Sequence, residues 1–253
     1  MSQLSQYTSQ FAAISLEETA RVNLLDRRDT KYVIPLSKIP QIFENLGNQY
    51  KVLNIGEFSY FNYRNIYYDT PDYLMHQQHH NGFYDRFKIR LREYTNTGLT
   101  FAEVKRKNNL GRTIKSRITI EDKETLLTPE GKELISRSTP FDPNNVFPVL
   151  NINFDRITFI QKDFKDRATV DFNLVFSHKE ISKELGPLVI AEVKQNKLST
   201  DSDFIRAVTK AGVKPMRFSK YCIGMTKIYP NLKNNLFKPK LHRINKLIHG
   251  IPA

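Results

Sequence analysis

Charged and apolar residues alternate with a period of two in five separate segments, and that period limits what those segments can become. RFKIRLREY sets Arg86, Lys88, Arg90 and Arg92 against Phe87, Ile89 and Leu91. TFAEVKRK sets Glu103, Lys105 and Lys107 against Ala102 and Val104, and TIKSRITIE sets Lys115, Arg117 and Glu121 against Ile114, Ile118 and Ile120. DRATVDFN opposes Arg167 and Asp171 to Val170 and Phe172, and VIAEVK opposes Glu192 and Lys194 to Ala191 and Val193. Successive side chains on a strand point to opposite faces, so each segment has one apolar face and one charged face. One such strand is an ordinary solvated sheet surface. Five of them predict a shared cationic lining built for a polyanion.

Strands are expected near residues 29–34, 61–68, 84–94, 99–107, 111–121, 152–161, 166–176 and 188–195. Helices are expected over 37–46 with Ser37 as N-cap, over 123–137 with an interruption at Pro129, and in TDSDFIRAVTKAG up to Gly212. Residues 1–22 read as an N-terminal leader with a short helix near 16–20. Residues 23–228 form the main domain, and 229–253 a basic, helical tail packed on it. No repeat of fixed period divides the chain. The fold class is therefore α+β, mainly antiparallel β, with the strands closed into a barrel and helices on its outside. If the charged faces point inward, the lumen is a wet cationic channel and the apolar faces need helices over them. This inverts the usual small barrel, whose interior is filled by side chains. Like charges a few ångströms apart cost about 1 to 4 kcal/mol per pair at the effective dielectric of water or a protein surface. Anions must then balance such an interior.

The net charge of +13, from 39 basic and 26 acidic residues, points the same way. It leaves nucleic acid, polyphosphate, a phosphorylated ligand and an anionic membrane open as partners. No apolar run is long enough for a transmembrane helix, and the polar start has no signal-peptide core. Cys222 is the only cysteine, which suits a reducing cytoplasm and a small buried hydrophobe. There is no GxxxxGK[ST] loop, no GxG pair and no RNP or zinc-finger signature, so no nucleic acid is expected as ligand. His76, His79 and His80 in HQQHHNGF read as a strand end and turn, not a zinc site. The aromatics of SYFNYRNIYY read as core or as a rest for a base.

In order along the chain, DRRDTKYVI, YYDT, KIRLREY, FAEVKRK, IKSRITI, FDRITF, DRATVDF, IAEVKQNK and RFSKY resemble the VTC (vacuolar transporter chaperone) domain. That domain is the polyphosphate polymerase branch of the CYTH-like triphosphate tunnel metalloenzymes. The resemblance spans residues 23–225 and implies an antiparallel β-tunnel in which basic residues hold a phosphate chain. It also implies divalent Mn²⁺ or Mg²⁺ on acidic residues, and transfer of the ATP γ-phosphoryl group to a growing inorganic polyphosphate.

Position by position, the resemblance implies that Lys31 is the first tunnel lysine. Arg90 and Arg92 match the RxR strand, and Lys105 the lysine of the first EVK. Lys115 and Arg117 match the next basic strand, Arg156 and Arg167 the later arginines, Lys194 the second EVK lysine and Lys220 the closing basic residue. Glu192, then Glu103 and Asp171, are the implied metal ligands, with a cross-tunnel salt bridge as the rival role for both glutamates. Where the superfamily's hydrolases carry ExExK, this chain has Arg27, Asp29 and Lys31. The lost glutamate argues for the polymerase branch. A tunnel hydrolase of triphosphates and a non-catalytic polyphosphate-binding module are the alternatives. The expected setting is cytoplasmic; a position peripheral to a membrane and a membrane-protein partner stay open.

Overall fold

The computed structural model describes residues 3–22, 27–196 and 202–250. Its strands are β1 (Ala12–Ile14), β2 (Arg27–Pro35), β3 (Tyr50–Leu53), β4 (Phe61–Asp69), β5 (Arg86–Tyr94), β6 (Leu99–Lys107), β7 (Thr113–Thr119), β8 (Phe147–Gln161), β9 (Asp166–His178), β10 (Ile181–Glu184) and β11 (Leu188–Asn196). Its helices are α1 (Gln3–Thr8), α2 (Leu16–Thr19), α3 (Ile39–Leu46), α4 (Leu74–His80), α5 (Pro129–Ser138), α6 (Asp203–Lys210), α7 (Lys220–Ile228) and α8 (Lys238–Ile248). No helix among the described residues is long and apolar enough to cross a membrane.

Hydrogen bonds join the strands in the order β2-β11-β9-β8-β4-β5-β6-β7, and every pairing on this path is antiparallel. β2 and β7 stand at opposite ends of this order, yet Lys31 of β2 and Lys115 of β7 line one cavity. The sheet must therefore curl until its ends approach. No ladder joins β7 to β2 among the described residues, a mild departure from the closed barrel that the sequence predicts.

The alternating faces behave as their period requires. Tyr32, Ile34, Ile157, Phe159, Val170, Ala191 and Val193 point outward and are buried under α3 and α6 with Ile42, Phe43 and Phe204. Ile66, Phe87, Ile89, Leu91 and Val104 point outward under α5, against Leu134 and Ile135. The third core lies inside the curl. There α7 sits on the concave face, with Tyr221, Cys222, Ile223 and Met225 packed among Val33, Leu150, Ile152, Phe176 and Ile190. Gly224 permits this approach, because a Cβ there would come within 2.6 Å of Phe176 and 2.7 Å of Leu150. One helix thus occupies the lumen, where the sequence places all helices outside. Cys222 is buried, as expected.

Several local expectations change for identifiable reasons. Ser37 lies in a 3-10 turn, Leu36–Lys38, and the α3 cap position falls on Lys38 with no capping side chain. Pro129 begins α5 instead of interrupting it, because its missing N–H costs nothing in the first turn, and Thr128 accepts from the Gly131 amide at 3.2 Å. His76 and His80 lie on helix α4, not at a strand end; the Asp69 carboxylate accepts from the amides of Met75 at 2.9 Å and His76 at 3.0 Å. The Tyr221 hydroxyl also donates to Asp69, which ties α4 to α7. The leader contains α1, β1 and α2, the last closed by a Ser15–Glu18 capping box. In the tail, Ile244 of α8 is buried with Leu241, Leu247 and Ile248 against the core beneath α7.

Candidate functional site

Inside the curl is a cavity of about 420 Å³. Ten basic side chains line it: Lys31, Lys88, Arg90, Arg92, Lys105, Lys115, Arg156, Arg167, Lys194 and Lys220. Among the described residues only two carboxylates, Asp171 and Glu192, join them, with Tyr63, Tyr67, Tyr94, Phe154, Phe218, Ser219 and Tyr221 between. Nine different elements contribute, and strand parity explains how: every lining residue from β5, β6, β7 and β11 holds the luminal register. Nine predicted basic residues meet here. Arg117 does not; it stays exposed on β7 and stacks over the Phe101 ring at 4.8 Å.

The carboxylates divide the cations into three groups. Glu103, fully buried behind the lining, accepts from Arg90 Nε at 2.7 Å and lies 2.5 Å from the Lys115 ammonium. Asp171, also buried, receives a fork from Arg156, with Nε at 2.5 Å and Nη2 at 2.8 Å, and is also paired with Lys220. Glu192 lies 3.0 Å from Lys31 and 3.4 Å from Lys194. Burial alone raises a carboxyl pKa, but here the adjacent cations reverse it. Asp171 is held at about 2 by Arg156 and Lys220 against its burial. Glu103, by Arg90 and Arg92, and Glu192, by Lys194 and Lys31, are held well below the usual carboxylate range in the same way. All three carboxylates are therefore charged at neutral pH.

Lys105 lacks such a partner. No carboxylate pairs with it among the described residues, and it faces Lys88 on β5 and Lys115 on β7 directly across the ladder. Arg90, burial and Arg92 together push its ammonium down to about 5. Burial also pushes Lys88 down, and Lys88 donates to the Ser219 hydroxyl at 3.1 Å. The phenol of Tyr67 reports the same field: burial would raise it, but Arg90, Lys88 and Arg92 hold it below its ordinary value. Arg90 donates to that phenol at 3.0 Å, and Arg92 donates to Asn65 at 2.9 Å. The cavity is thus short of negative charge at the Lys88–Lys105 rung. An anion of several charges is the ligand that would relieve it.

A VTC domain family model matches residues 26–229. This chain belongs to the VTC domain family. No curated protein matches its sequence. Among solved structures it is similar to HpAC1 from Hippeastrum, a proposed adenylyl cyclase that reveals a dominant triphosphatase activity. The two share 11% identity over 81% of this chain and 97% of that one, with a TM-score of 0.51. It is also similar to a proposed adenylate cyclase from Vibrio parahaemolyticus, at 14% identity over 79% and 99% of the two chains and a TM-score of 0.47. The likeness to HpAC1 supports the fold alone.

This VTC domain uses more residues than the motif match supplies. Lys88 lines the cavity and shares the parity of Arg90 and Arg92, so the period-two pattern was enough to find it. Ser219 and Tyr221 had no such signal, because nothing in RFSKY predicts that α7 enters the lumen. The rings of Tyr63 and Tyr67 face the cavity but already carry guanidinium groups: Arg156 lies 4.9 Å and Arg92 5.2 Å from the Tyr63 centroid, and Arg90 5.8 Å from that of Tyr67. They brace arginines rather than leave a free face for a base.

The three implied metal ligands fare differently. Glu103 is closed off by Arg90 and Lys115, and Asp171 is saturated by Arg156 and Lys220. Neither fits a metal. Glu192 keeps 18% of its side chain exposed, lines the cavity and is paired with Lys31 and Lys194. No cluster of three or more His, Cys, Asp or Glu residues occurs among the described residues. A single carboxylate still fits Mg²⁺ or Mn²⁺, which commonly take one or two carboxylates and complete their shell with phosphate oxygens and water. The histidines of α4 gain no acidic partner. Burial pushes His76 down to about 4, and burial with Lys88 and Arg86 nearby keeps His79 neutral.

Proposed function

We propose that this VTC domain is an ATP-dependent polyphosphate polymerase. The convergence of ten basic side chains on one cavity carries this reading. Phosphoryl transfer demands positioning and neutralisation of phosphoryl oxygens more than covalent help. Arg90 and Arg92 are buried and Arg156 half-buried, their guanidinium groups held in fixed positions where they add positive charge toward a phosphate, and Lys105, Lys88 and Lys194 act as point charges. A divalent metal held by Glu192 and phosphate oxygens would offset charge that develops on the β and γ phosphates.

In the step proposed, a terminal phosphate oxygen of the acceptor chain attacks the γ phosphorus of ATP. The bond from that phosphorus to the β-γ bridging oxygen breaks, ADP leaves with the electron pair, and the chain grows by one phosphate. The attacking oxygen is already anionic at neutral pH, so no general base is needed. This agrees with a lining in which every carboxylate is engaged by cations. The first strand supports the polymerase branch, since it carries Asp29 and Lys31 with Arg27 in place of a glutamate; the Arg27 side chain lies outside the described residues.

A second reading, hydrolysis of a triphosphate, draws on the triphosphatase activity of HpAC1, which shares the fold. Water would replace the acceptor phosphate in the same cradle. Incubation with ATP and Mn²⁺ or Mg²⁺ separates the two: long acid-labile chains with ADP are expected. Orthophosphate or pyrophosphate alone would assign the hydrolase. Tight chain binding with no turnover would leave a binding module.

A further inference from the structure

The cationic ladder does not stop at the cavity. One rung beyond Lys88 and Lys105, Arg86 of β5 stands directly opposite Lys107 of β6, on the same luminal face. Like charges directly opposed across a ladder are destabilising, so two successive rungs of this kind need a compensating anion. Neither Arg86 nor Lys107 lines the 420 Å³ cavity. Both are half-buried, and Arg86 is fixed by a bond from Nη1 to the Phe83 carbonyl at 2.5 Å. Arg217, exposed, immediately precedes the lining residues Phe218 and Ser219. Burial and then the charges of Arg86 and Arg217 push the Lys107 ammonium down, so the three groups share one field. Among the described residues no salt bridge engages Arg86, Lys107 or Arg217; the nearest carboxylate in sequence, Asp85, is paired with Arg106 on the outer face.

We propose that Arg86, Lys107 and Arg217 form an outer port that holds the phosphates of a linear polyphosphate beyond those bound in the cavity. This rests on the reading of the cavity as a phosphate tunnel. A short ligand such as tripolyphosphate, held by Lys105 and Arg90, does not need the port. A long chain crosses it on leaving the Lys88–Lys105 rung. The port therefore makes affinity depend on chain length without adding to the reacting centre. Nucleic acid is the weaker fit, because a ribose and base on every phosphate have no lodging where the ladder narrows to paired cations.

The test compares wild type with a Lys107→Gln, Arg217→Gln double variant. Both residues lie outside the cavity, and Arg86 is left in place because its guanidinium supports the Phe83 turn. Binding of tripolyphosphate, of long-chain polyphosphate and of a single-stranded oligonucleotide is measured at one fixed salt concentration. Wild type is expected to bind the long chain more tightly than tripolyphosphate and the oligonucleotide. The variant should match wild type on tripolyphosphate and bind the long chain about tenfold more weakly, the loss of roughly one charge-assisted contact. Unchanged long-chain affinity overturns the port, as does equal loss for tripolyphosphate. Oligonucleotide affinity equal to that for the long chain overturns it too. If wild type binds no phosphate chain, both the port and the tunnel reading fall. If binding behaves as expected and ATP yields no chain, only the polymerase reading falls.

Discussion

Binding of a polyphosphate should draw a proton from solution, and Lys105 should be where it goes. In the free protein its ammonium is pushed down to about 5 by Arg90, burial and Arg92. At pH 7 only about 1% of the free protein then carries this proton, and restoring the charge costs about 2.7 kcal/mol, two pH units at 1.36 kcal/mol each. A bound phosphate at the Lys88–Lys105 rung supplies the negative charge the rung lacks and returns Lys105 toward its ordinary value near 10. Each ligand should therefore take up close to one proton at pH 7.5–8.5. Titration calorimetry with tripolyphosphate in buffers of different ionisation enthalpy reads this uptake directly. The sign follows from the depressed value: affinity should be greatest near pH 5 and fall about tenfold per pH unit above it, until the bound-state value is reached. The terminal phosphates of tripolyphosphate also titrate above neutrality, so the uptake that belongs to Lys105 is the difference between wild type and Lys105→Met. Lys105→Met should bind more weakly and lose the slope. Buffer-independent heats in wild type, or the same uptake in Lys105→Met, would refute the reasoning.

The same residue should cost stability when the cavity is empty. The unfolded chain binds the Lys105 proton up to about pH 10 while the folded chain releases it near 5. Stability therefore rises with pH through that window, and Lys105→Met should raise the Tm of the free protein at pH 7 by an amount equivalent to a few kcal/mol. Calorimetry without ligand checks this, and a lower Tm would contradict it. Glu192→Gln should abolish metal-dependent turnover while tripolyphosphate affinity holds or improves, because Lys31 and Lys194 are released from the carboxylate that pairs with both; turnover preserved at saturating Mg²⁺ would remove Glu192 from the metal role. Gly224→Val should destabilise the fold by about 1 to 3 kcal/mol through overpacking against Phe176 and Leu150, as measured by urea unfolding.

Much of this arrangement was legible from parity alone. In β5, β6, β7, β9 and β11, a residue's odd or even place decides its face, and the buried partners Phe87, Ile89, Val104, Val170 and Val193 fix which face looks outward. Irregular backbone was not legible in this way. β9 changes phase at Asn173, with φ of +51° and a register shift against β8, so Leu174 and Phe176 turn into the lumen below Asp171. β10 was missed because all four of its residues are exposed and carry no apolar period. α7 was missed because its burial on all sides erases the amphipathic stripe that marks a surface helix. Of these features, α7 reaches the cavity itself, through Lys220 and Tyr221.

The carboxylates were the part of the site least decided by sequence, and the structure explains why. Glu103 and Glu192 occupy the same place in two EVK strands, each two residues before a lysine, and identical spacing implies identical roles. Their surroundings separate them. Glu103 faces Arg90 on β5 and Arg117 on β7, so it is enclosed on both sides by basic strands and becomes the anchor that sets the angle of Arg90. Glu192 faces Lys31 on one side and Thr169 on the other, so one flank is neutral and the carboxylate keeps access to the cavity. A buried acid between two cations contributes by fixing their geometry, and removal would leave them unpaired in a dry site, which costs more than the pair contributes. An acid with one neutral flank can exchange its lysines for a metal and a phosphate. Which strand lies next to each EVK therefore decides whether its glutamate braces an arginine or remains available for chemistry, and that adjacency is a property of the β2-β11-β9 and β5-β6-β7 order, not of the motif.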